Sequence, residues 1–291
     1  MLSKKTVTLD FEGRNVRLLV TTKRRFLRWT SVSLPAELMD QGLIQAPERV
    51  GQGLARMLAS QKASGRRVVS SMTGYRSVSR MLTMPMVKPS VLDEAVERKI
   101  RREMPLTNNE TYLSWQVIGR ENGNMRIFAL VLPRLLIDRQ MEAMQAAHVK
   151  PRAMDLRPLA LVRAVNQEEA IIVDLEELSF GVVIVTRGIP EIIRSVAQAD
   201  EAEEPRAKLE RLTLELSRTI QFFNDSHRDQ PLKADTPIFV SGSVFESAEM
   251  RGMLAERAGR KVELPQPPLR LPEGFPLASY CVSLGLALKK V

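Results

Sequence analysis

Two aspartates stand at the ends of apolar stretches in the same setting. Asp10 closes TVTLD and is followed by FEGRN and a second apolar stretch, VRLLVT. Asp174 closes AIIVD and is followed by LEELS and FGVVIV. Strand, acidic residue, tight connection and returning strand is a geometry in which backbone N–H groups can cradle a phosphate. Such connections are usually Gly-rich, so that the backbone comes close to the anion. The second connection here is Leu175, Glu176, Glu177, Leu178 and Ser179, with two carboxylates where an anion site wants none.

Other chemistry is sparse. The chain holds two histidines, His148 and His227, and one cysteine, Cys281. His148 has no acidic or Cys neighbour at ligand spacing, His227 closes a long helix where a cation suits the dipole, and with one cysteine the set is too poor for a zinc site. No metal site is expected. There is no Walker A motif and no nucleophile elbow, so no catalytic residue is assigned. The segment KRRFLRW interleaves basic and aromatic residues. Lys23, Arg24, Arg25 and Arg28 are candidates for facing an anionic membrane surface. The competing reading is a strand edge that buries Phe26 and Trp29 and leaves the arginines in water.

The chain has 291 residues, 44% hydrophobic and 26% charged, which suits a globular protein of one large or two moderate domains. A single cysteine excludes an intrachain disulfide and fits a reducing compartment. No apolar h-region follows the N-terminal lysines, and no apolar run approaches the ~18 residues of a membrane span. The expectation is a cytoplasmic protein. The net charge of +9 is uneven: residues 1–150 carry 25 Lys and Arg against 13 Asp and Glu, and residues 151–291 carry 18 against 21. A basic half can serve nucleic acid, anionic lipid or an acidic partner, or only keep the protein in solution.

The elements that must position these residues follow from period and punctuation. Residues 6–11 and 14–21 alternate as two strands about Gly13, and 25–35 read as a third. Residues 47–62 are helical after Pro47. RRVVSSM and VSRMLTMP are strands. Residues 90–104 form an amphipathic helix with Ser90 as its cap, a core stripe of Leu92, Val96, Ile100 and Met104, and a stop at Pro105. TYLSWQVIG and MRIFALVLP form a hairpin about ENGN. Residues 134–147 and the stretch from Pro158 are helical. Three strands follow from residue 170, then a long helix from about Arg206 to His227, a strand TPIFVSGS, a helix over 246–258, a Pro-rich loop and a closing helix. The order is that of an α/β protein with mixed sheets in two halves that begin alike.

Two Asp-ended hairpins plus IFVSGS before a helix match the layout of the actin-like ATPase fold. Within it, the span from GLIQAPERVGQGLARMLASQ through MLTMP, REMP and YLSWQVIG resembles the PilM family of type IV pilus assembly proteins. LRPLALVRA and the terminal GLALKK do so as well. The resemblance covers nearly the whole chain. It implies a two-lobed, FtsA/PilM-type fold: a first lobe over 1–77 and 278–291, an inserted subdomain over 78–160, and a second lobe over 161–277. It implies a location beneath the inner membrane and a scaffold role in a pilus or related secretion platform. The partner would be the cytoplasmic tail of a PilN-like bitopic protein, held in a groove around the inserted subdomain. Arg80, Leu82, Arg98, Lys99, Arg101 and Arg102 are region-level candidates for that contact.

Many family members bind ATP with magnesium between the lobes, and their loops can be laid on this sequence. The first phosphate loop reads Asp-x-Gly-Ser/Thr-Ser-x-x-Lys in them. Here Asp10 is kept, Glu12 stands at the Gly place before Gly13, and Arg17 replaces the Lys. The second reads Asp-x-Gly-Ala/Gly; here Asp174 is kept and Glu176 and Glu177 fill the small-residue places. The adenosine loop is partly kept as Ser241, Gly242 and Ser243. Side chains at Gly positions block backbone approach. A carboxylate facing a phosphate at ~4 Å costs about 4 kcal/mol at an effective dielectric near 20. The expectation is a degenerate cleft with no cofactor and no enzymatic role. The alternatives are magnesium bridging those carboxylates to ATP, whose state would gate partner binding, and a nucleic-acid-binding protein using the basic half.

Overall fold

In the computed structural model the described residues are 5–22, 25–72, 77–104, 110–198 and 203–290. The chain divides into two compact units, one of residues 1–75 with 140–291 and one of residues 76–139.

The larger unit starts with three antiparallel strands, β1 (Thr6–Glu12), β2 (Asn15–Thr21) and β3 (Phe26–Ser33). Gly13 turns the first hairpin at φ +55°, a conformation that costs glycine little. A short ribbon follows, β4 (Met39–Asp40) with β5 (Leu43–Ile44), and then α1 (Pro47–Ser60). Pro47 opens this helix, and Val50, Leu54, Met57 and Leu58 bury one stripe of it against the sheet. β6 (Val68–Met72) lies parallel to β1.

The smaller unit is a three-stranded antiparallel sheet with a helix across one face. Its strands are β7 (Val78–Pro85), β8 (Thr111–Glu121) and β9 (Asn124–Pro133), in the order β7-β9-β8, with α2 (Leu92–Glu103) between the first two in sequence. Val96, Ile100 and Met104 of the helix stripe pack on Leu82, Met84, Met125, Ile127 and Ala129. Asn122 and Gly123, both at positive φ, turn the β8–β9 hairpin. Ser90 does not cap α2. Pro89 starts a 3-10 turn over Pro89–Val91, which places Ser90 inside the turn, and Val91 takes the cap position without a side-chain bond. Pro105 lies outside the described residues.

Helix α3 (Arg134–Ala146) runs from one unit into the other, and β10 (Pro151–Leu156) and α4 (Arg157–Val165) belong to the larger one. This corrects the 160 boundary expected for the inserted subdomain. PRAMDL carries too little alternation to read as a strand, yet β10 pairs parallel with β6 and completes the first sheet, β10-β6-β1-β2-β3.

The second sheet repeats the first. β11 (Ala170–Leu175), β12 (Ser179–Thr186) and β13 (Ile189–Ala197) are antiparallel. After α5 (Pro205–Ser226), β14 (Ile238–Ser241) adds parallel to β11. After α6 (Ala248–Ala258), β15 (Val262–Glu263) adds parallel to β14, giving the order β13-β12-β11-β14-β15. The two sheets therefore share one topology, and Asp10 and Asp174 hold the same place in it. Asp10 pairs in register with Arg17, and Asp174 with Gly181. The closing helix α7 (Leu277–Ala287) packs with α4; Ala160, Leu161, Cys281, Val282 and Leu286 form a core with Val69 of one sheet and Ile172 and Phe239 of the other. Among the described residues no helix is long and apolar enough to cross a membrane.

Candidate functional site

The two Asp-ended hairpins meet turn to turn, and the first residue of α4 enters between them. That residue is Arg157, which is 2% exposed. Its Nη1 donates to Asp10 Oδ1 at 2.5 Å, and its Nη2 donates to Asp174 Oδ2 at 3.2 Å and to Glu176 Oε1 at 3.1 Å. Its Nε lies 3.4 Å from Glu12 Oε2. One guanidinium thus contacts four carboxylates drawn from both sheets. A cation at a helix N-terminus opposes the backbone dipole, so this placement is sustained by the carboxylates around it.

Arg17 supplies the second cation. Its Nη1 and Nη2 donate to the two oxygens of Glu176 at 2.6 and 2.9 Å, a bidentate fork, and Nη1 lies 3.4 Å from Asp10 Oδ2. Around this buried centre the turns interlock. Leu178 N–H donates to Glu12 Oε1 at 3.4 Å. Asn15 Nδ2 donates to Glu177 Oε2 at 2.8 Å, and Arg14 Nη2 to Glu177 Oε1 at 3.3 Å. The carboxylates of the LEELS connection therefore face the cations of the FEGRN connection and its following strand. Opposite charge is the answer to their unexpected presence.

Four carboxylates against two guanidiniums leave negative charge in excess. Burial pushes the Glu12 carboxyl up to about 8; Arg157 works against this, and Glu176, Asp174 and Asp10 add to it. Burial also raises Asp174, opposed by Arg157 and reinforced by Glu176. For Arg157 burial alone would lower the pKa, but the four carboxylates, Asp10 foremost, raise it well above the ordinary value. Arg17 behaves alike, with Glu176 as the main force raising it. The centre holds two guanidinium cations, burial favours the neutral form of Glu12, and Glu12 Oε2 has no hydrogen-bond partner.

The remaining cleft residues sit close by. Gly13 lies against Leu178, whose Cγ would be 3.0 Å from an added Cβ. Gly242, at φ +109°, lies so close to the Leu175 backbone that a Cβ there would meet its carbonyl oxygen at 1.9 Å. Ser243 begins a 3-10 turn and is exposed. Arg157, the centre of the network, went unassigned in the sequence. Its one available signal was an arginine on the first turn of a Pro-started helix, against the dipole.

In the smaller unit Leu82 is 2% exposed and belongs to the core, so it is withdrawn as a partner contact. Arg80 donates to the Glu103 carbonyl at the end of α2. Arg98 pairs with Glu94 and Lys99 with Glu103, each one helical turn away. Arg101 and Arg102 are exposed on the same helix. Arg25, just before β3, and Arg28 on it are exposed, while Trp29 is 38% exposed and packs edge-on against Phe26 and Phe275. The ring packing fits a strand edge whose arginines lie in water. Lys23 and Arg24 lie outside the described residues. No group of three or more His, Cys, Asp or Glu among the described residues is arranged to hold a metal ion.

Duplicated sheets, whose Asp-ended hairpins meet turn to turn and whose cores share the packed helices α4 and α7, are the architecture of the actin-like fold. A Bacteroides thetaiotaomicron protein with an actin-like ATPase fold and unknown function matches at TM-score 0.54 over 99% of this chain and 97% of its own, with 7% identity. Within that class, a chain of the PilM–PilN type IV pilus biogenesis complex matches at TM-score 0.79 over 97% of both chains, with 17% identity. The cytoplasmic domain of EpsL, an inner-membrane component of the type II secretion system of Vibrio cholerae, matches at 0.55 over 99% and 97%, with 10% identity. No family model matches the chain, and no curated protein matches it. At these identities the likeness establishes the fold, the actin-like one expected from the sequence.

Proposed function

We propose that this protein is a non-catalytic scaffold of a type IV pilus or related secretion platform, and that its nucleotide cleft has become an internal ion-pair joint. The observation that carries the second part is Arg157 in contact with Asp10, Glu12, Asp174 and Glu176. To cradle a phosphate, such turns must stand apart with their backbone N–H groups open to the anion. Here they touch, through Leu178 and Glu12 and through Glu177 with Arg14 and Asn15. The residues present do not fit Mg-ATP. A triphosphate would have to break the Arg157 contacts and lie against buried carboxylates, and neither Glu12 nor Glu176 leaves the backbone open.

The first part is supported by likeness to the chain of the PilM–PilN complex and to the EpsL cytoplasmic domain. The proposed partner is the cytoplasmic tail of a PilN-like bitopic membrane protein, with the protein held at the inner face of the membrane. The smaller unit offers two sheet edges, β7 and β8, and an extended peptide can add to such an edge through its backbone. Exposed Arg102 on α2 provides charge for an acidic peptide.

Calorimetric titration with Mg-ATP, after a check for co-purified nucleotide, tests the joint. The expected result is no bound nucleotide and no heat. Micromolar or tighter binding would restore a nucleotide-gated scaffold. Titration of synthetic tail peptides from candidate bitopic partners tests the scaffold role separately.

A further inference from the structure

The end of the first sheet opposite the ion-pair joint has a charge of one sign. β1, β6 and β10 are parallel, so all three start at this end. Lys5 precedes β1, Arg66 and Arg67 precede β6, and Lys150 and Arg152 flank the start of β10. The antiparallel strand β3 begins here too, with Arg25 and Arg28. The C-terminus of α1 adds Lys62.

Backbone contacts tie these segments into one surface. Val7 N–H donates to the Arg67 carbonyl at 3.3 Å, and Val68 is in register with both Val7 and Pro151. Arg28 Nη1 donates to the Gln61 carbonyl at 2.5 Å. Gly65 lies against the His148 backbone, where an added Cβ would meet the carbonyl oxygen at 2.7 Å. Residues 5–8, 21–22, 25–28, 59–67 and 147–153, which build the described part of this end, contain no Asp or Glu. Among the described residues, none of these cations makes an ion pair with a carboxylate, and all but Arg67 are exposed. On the edge strand, Leu27 and Trp29 are each 38% exposed beside Arg28.

We propose that this end of the first sheet docks on an anionic lipid bilayer. Cations spread across a five-strand edge, roughly 20 Å wide at ~4.8 Å per strand, match a broad surface of negative headgroups. A half-exposed Trp flanked by arginines suits the headgroup level, where an apolar ring and a polar edge are both accommodated. Among the described residues only one exposed aromatic, Trp29, lies at this end, whereas a single-stranded nucleic acid is held on several stacking aromatics. The proposal requires neither nucleotide nor tail-peptide binding, so it stands or falls separately from the scaffold role. It places Arg25 and Arg28, two of the basic residues singled out in the sequence, within a surface drawn from four strands and a helix end.

The test is vesicle flotation with the full chain, using phosphatidylcholine alone and phosphatidylcholine with phosphatidylglycerol, at low and high salt. Binding is expected only with phosphatidylglycerol and is expected to weaken with salt. The combined variant Lys62→Gln, Arg66→Gln, Lys150→Gln, Arg152→Gln should lose about five-fold in affinity per cation removed. Its melting temperature should be unchanged, because the four side chains are exposed and carry no ion pair. A variant with Arg66→Lys and Arg152→Lys keeps the charge and should keep binding. No binding to phosphatidylglycerol vesicles at low salt overturns the proposal, and so does equal binding by the neutralised variant. Duplex DNA that displaces the protein from vesicles and binds it more tightly than they do would reassign the surface to nucleic acid.

Discussion

Arg157 Nη1 and Asp10 Oδ1 are 2.5 Å apart although 147 positions separate them in the chain. The same guanidinium reaches Asp174 and Glu176 of the other sheet. One side chain at the start of α4 therefore joins the two halves of the duplicated fold. Here the chain carries its own bridging cation, and Arg17 holds a second link through Glu176.

Removing that bridge should be costly. Arg157→Met keeps the length of the side chain and leaves three buried carboxyls, Asp10, Glu12 and Glu176, and the partly buried Asp174 with only Arg17 beside them. Truncating one partner of a buried ion pair costs about 3–5 kcal/mol, because the other charge stays desolvated. The urea midpoint should fall accordingly. Arg157→Lys should recover only part of the loss, since an ammonium cannot span the same acceptors with a planar fork. A midpoint within error of the parent would mean that the network contributes nothing to the joint.

Stability should also depend on pH through Glu12. Its carboxyl is pushed up to about 8 in the fold, mainly by burial, from an ordinary value near 4.5. The folded state therefore holds a proton that the unfolded chain releases. The associated stability is fully present below pH 4.5 and is lost as pH rises through 8. Asp174, also raised by burial, acts in the same direction. Denaturation midpoints across this range should decline for the parent and stay flatter for Glu12→Gln, which keeps a neutral side chain at every pH. Parallel curves for the two proteins would remove Glu12 as the source.

Much of this was legible in the sequence, for identifiable reasons. Alternation and turn residues set the strands about Gly13 and about Asn122 and Gly123: β1 and β2 are buried almost throughout, and β8 alternates half-buried with exposed residues beside the more deeply buried β9. The stripe on α2 is equally plain, with Val96 and Ile100 fully buried. Asp10 and Asp174 were identifiable as equivalent, since the duplicated order of elements places them alike. The role of Arg157 was not legible, because its four partners come from residues 10, 12, 174 and 176, and only the folded topology gathers them. Strand β10 escaped for a related reason: PRAMDL is poor in alternation and is recruited by pairing with β6. Leu82 looked accessible because a strand of alternating character does not say which face meets the helix.

The outer ion pair should behave unlike the inner one. Arg14 and Glu177 lie 3.3 Å apart with side chains 40% and 21% exposed. Pairs reached by solvent contribute ~0–1 kcal/mol and weaken with salt. Arg14→Ala should therefore shift the urea midpoint by less than about 1 kcal/mol equivalent, and the shift should shrink at high salt. A loss comparable to that of Arg157→Met would mean that turn-to-turn docking, not the buried centre, holds the halves together.

The position of Arg157 also depends on the helix behind it. Gly285 on α7 allows that helix to lie directly on the backbone of α4, where an added Cβ would meet the Ala160 carbonyl oxygen at 1.8 Å. Backbone cannot yield as a flexible side chain does, so Gly285→Ala must push the two helices apart. Overpacking of this kind costs about 1–3 kcal/mol and sometimes more. It would also move the first turn of α4, where contacts of 2.5 to 3.4 Å leave little tolerance. A double-mutant cycle between Gly285→Ala and Arg157→Met measures that coupling. The combined loss should be smaller than the sum of the single losses by at least ~0.5 kcal/mol, because a displaced helix has already weakened the ion contacts. Strict additivity would show that α7 supports the core of the fold without setting the geometry of the joint.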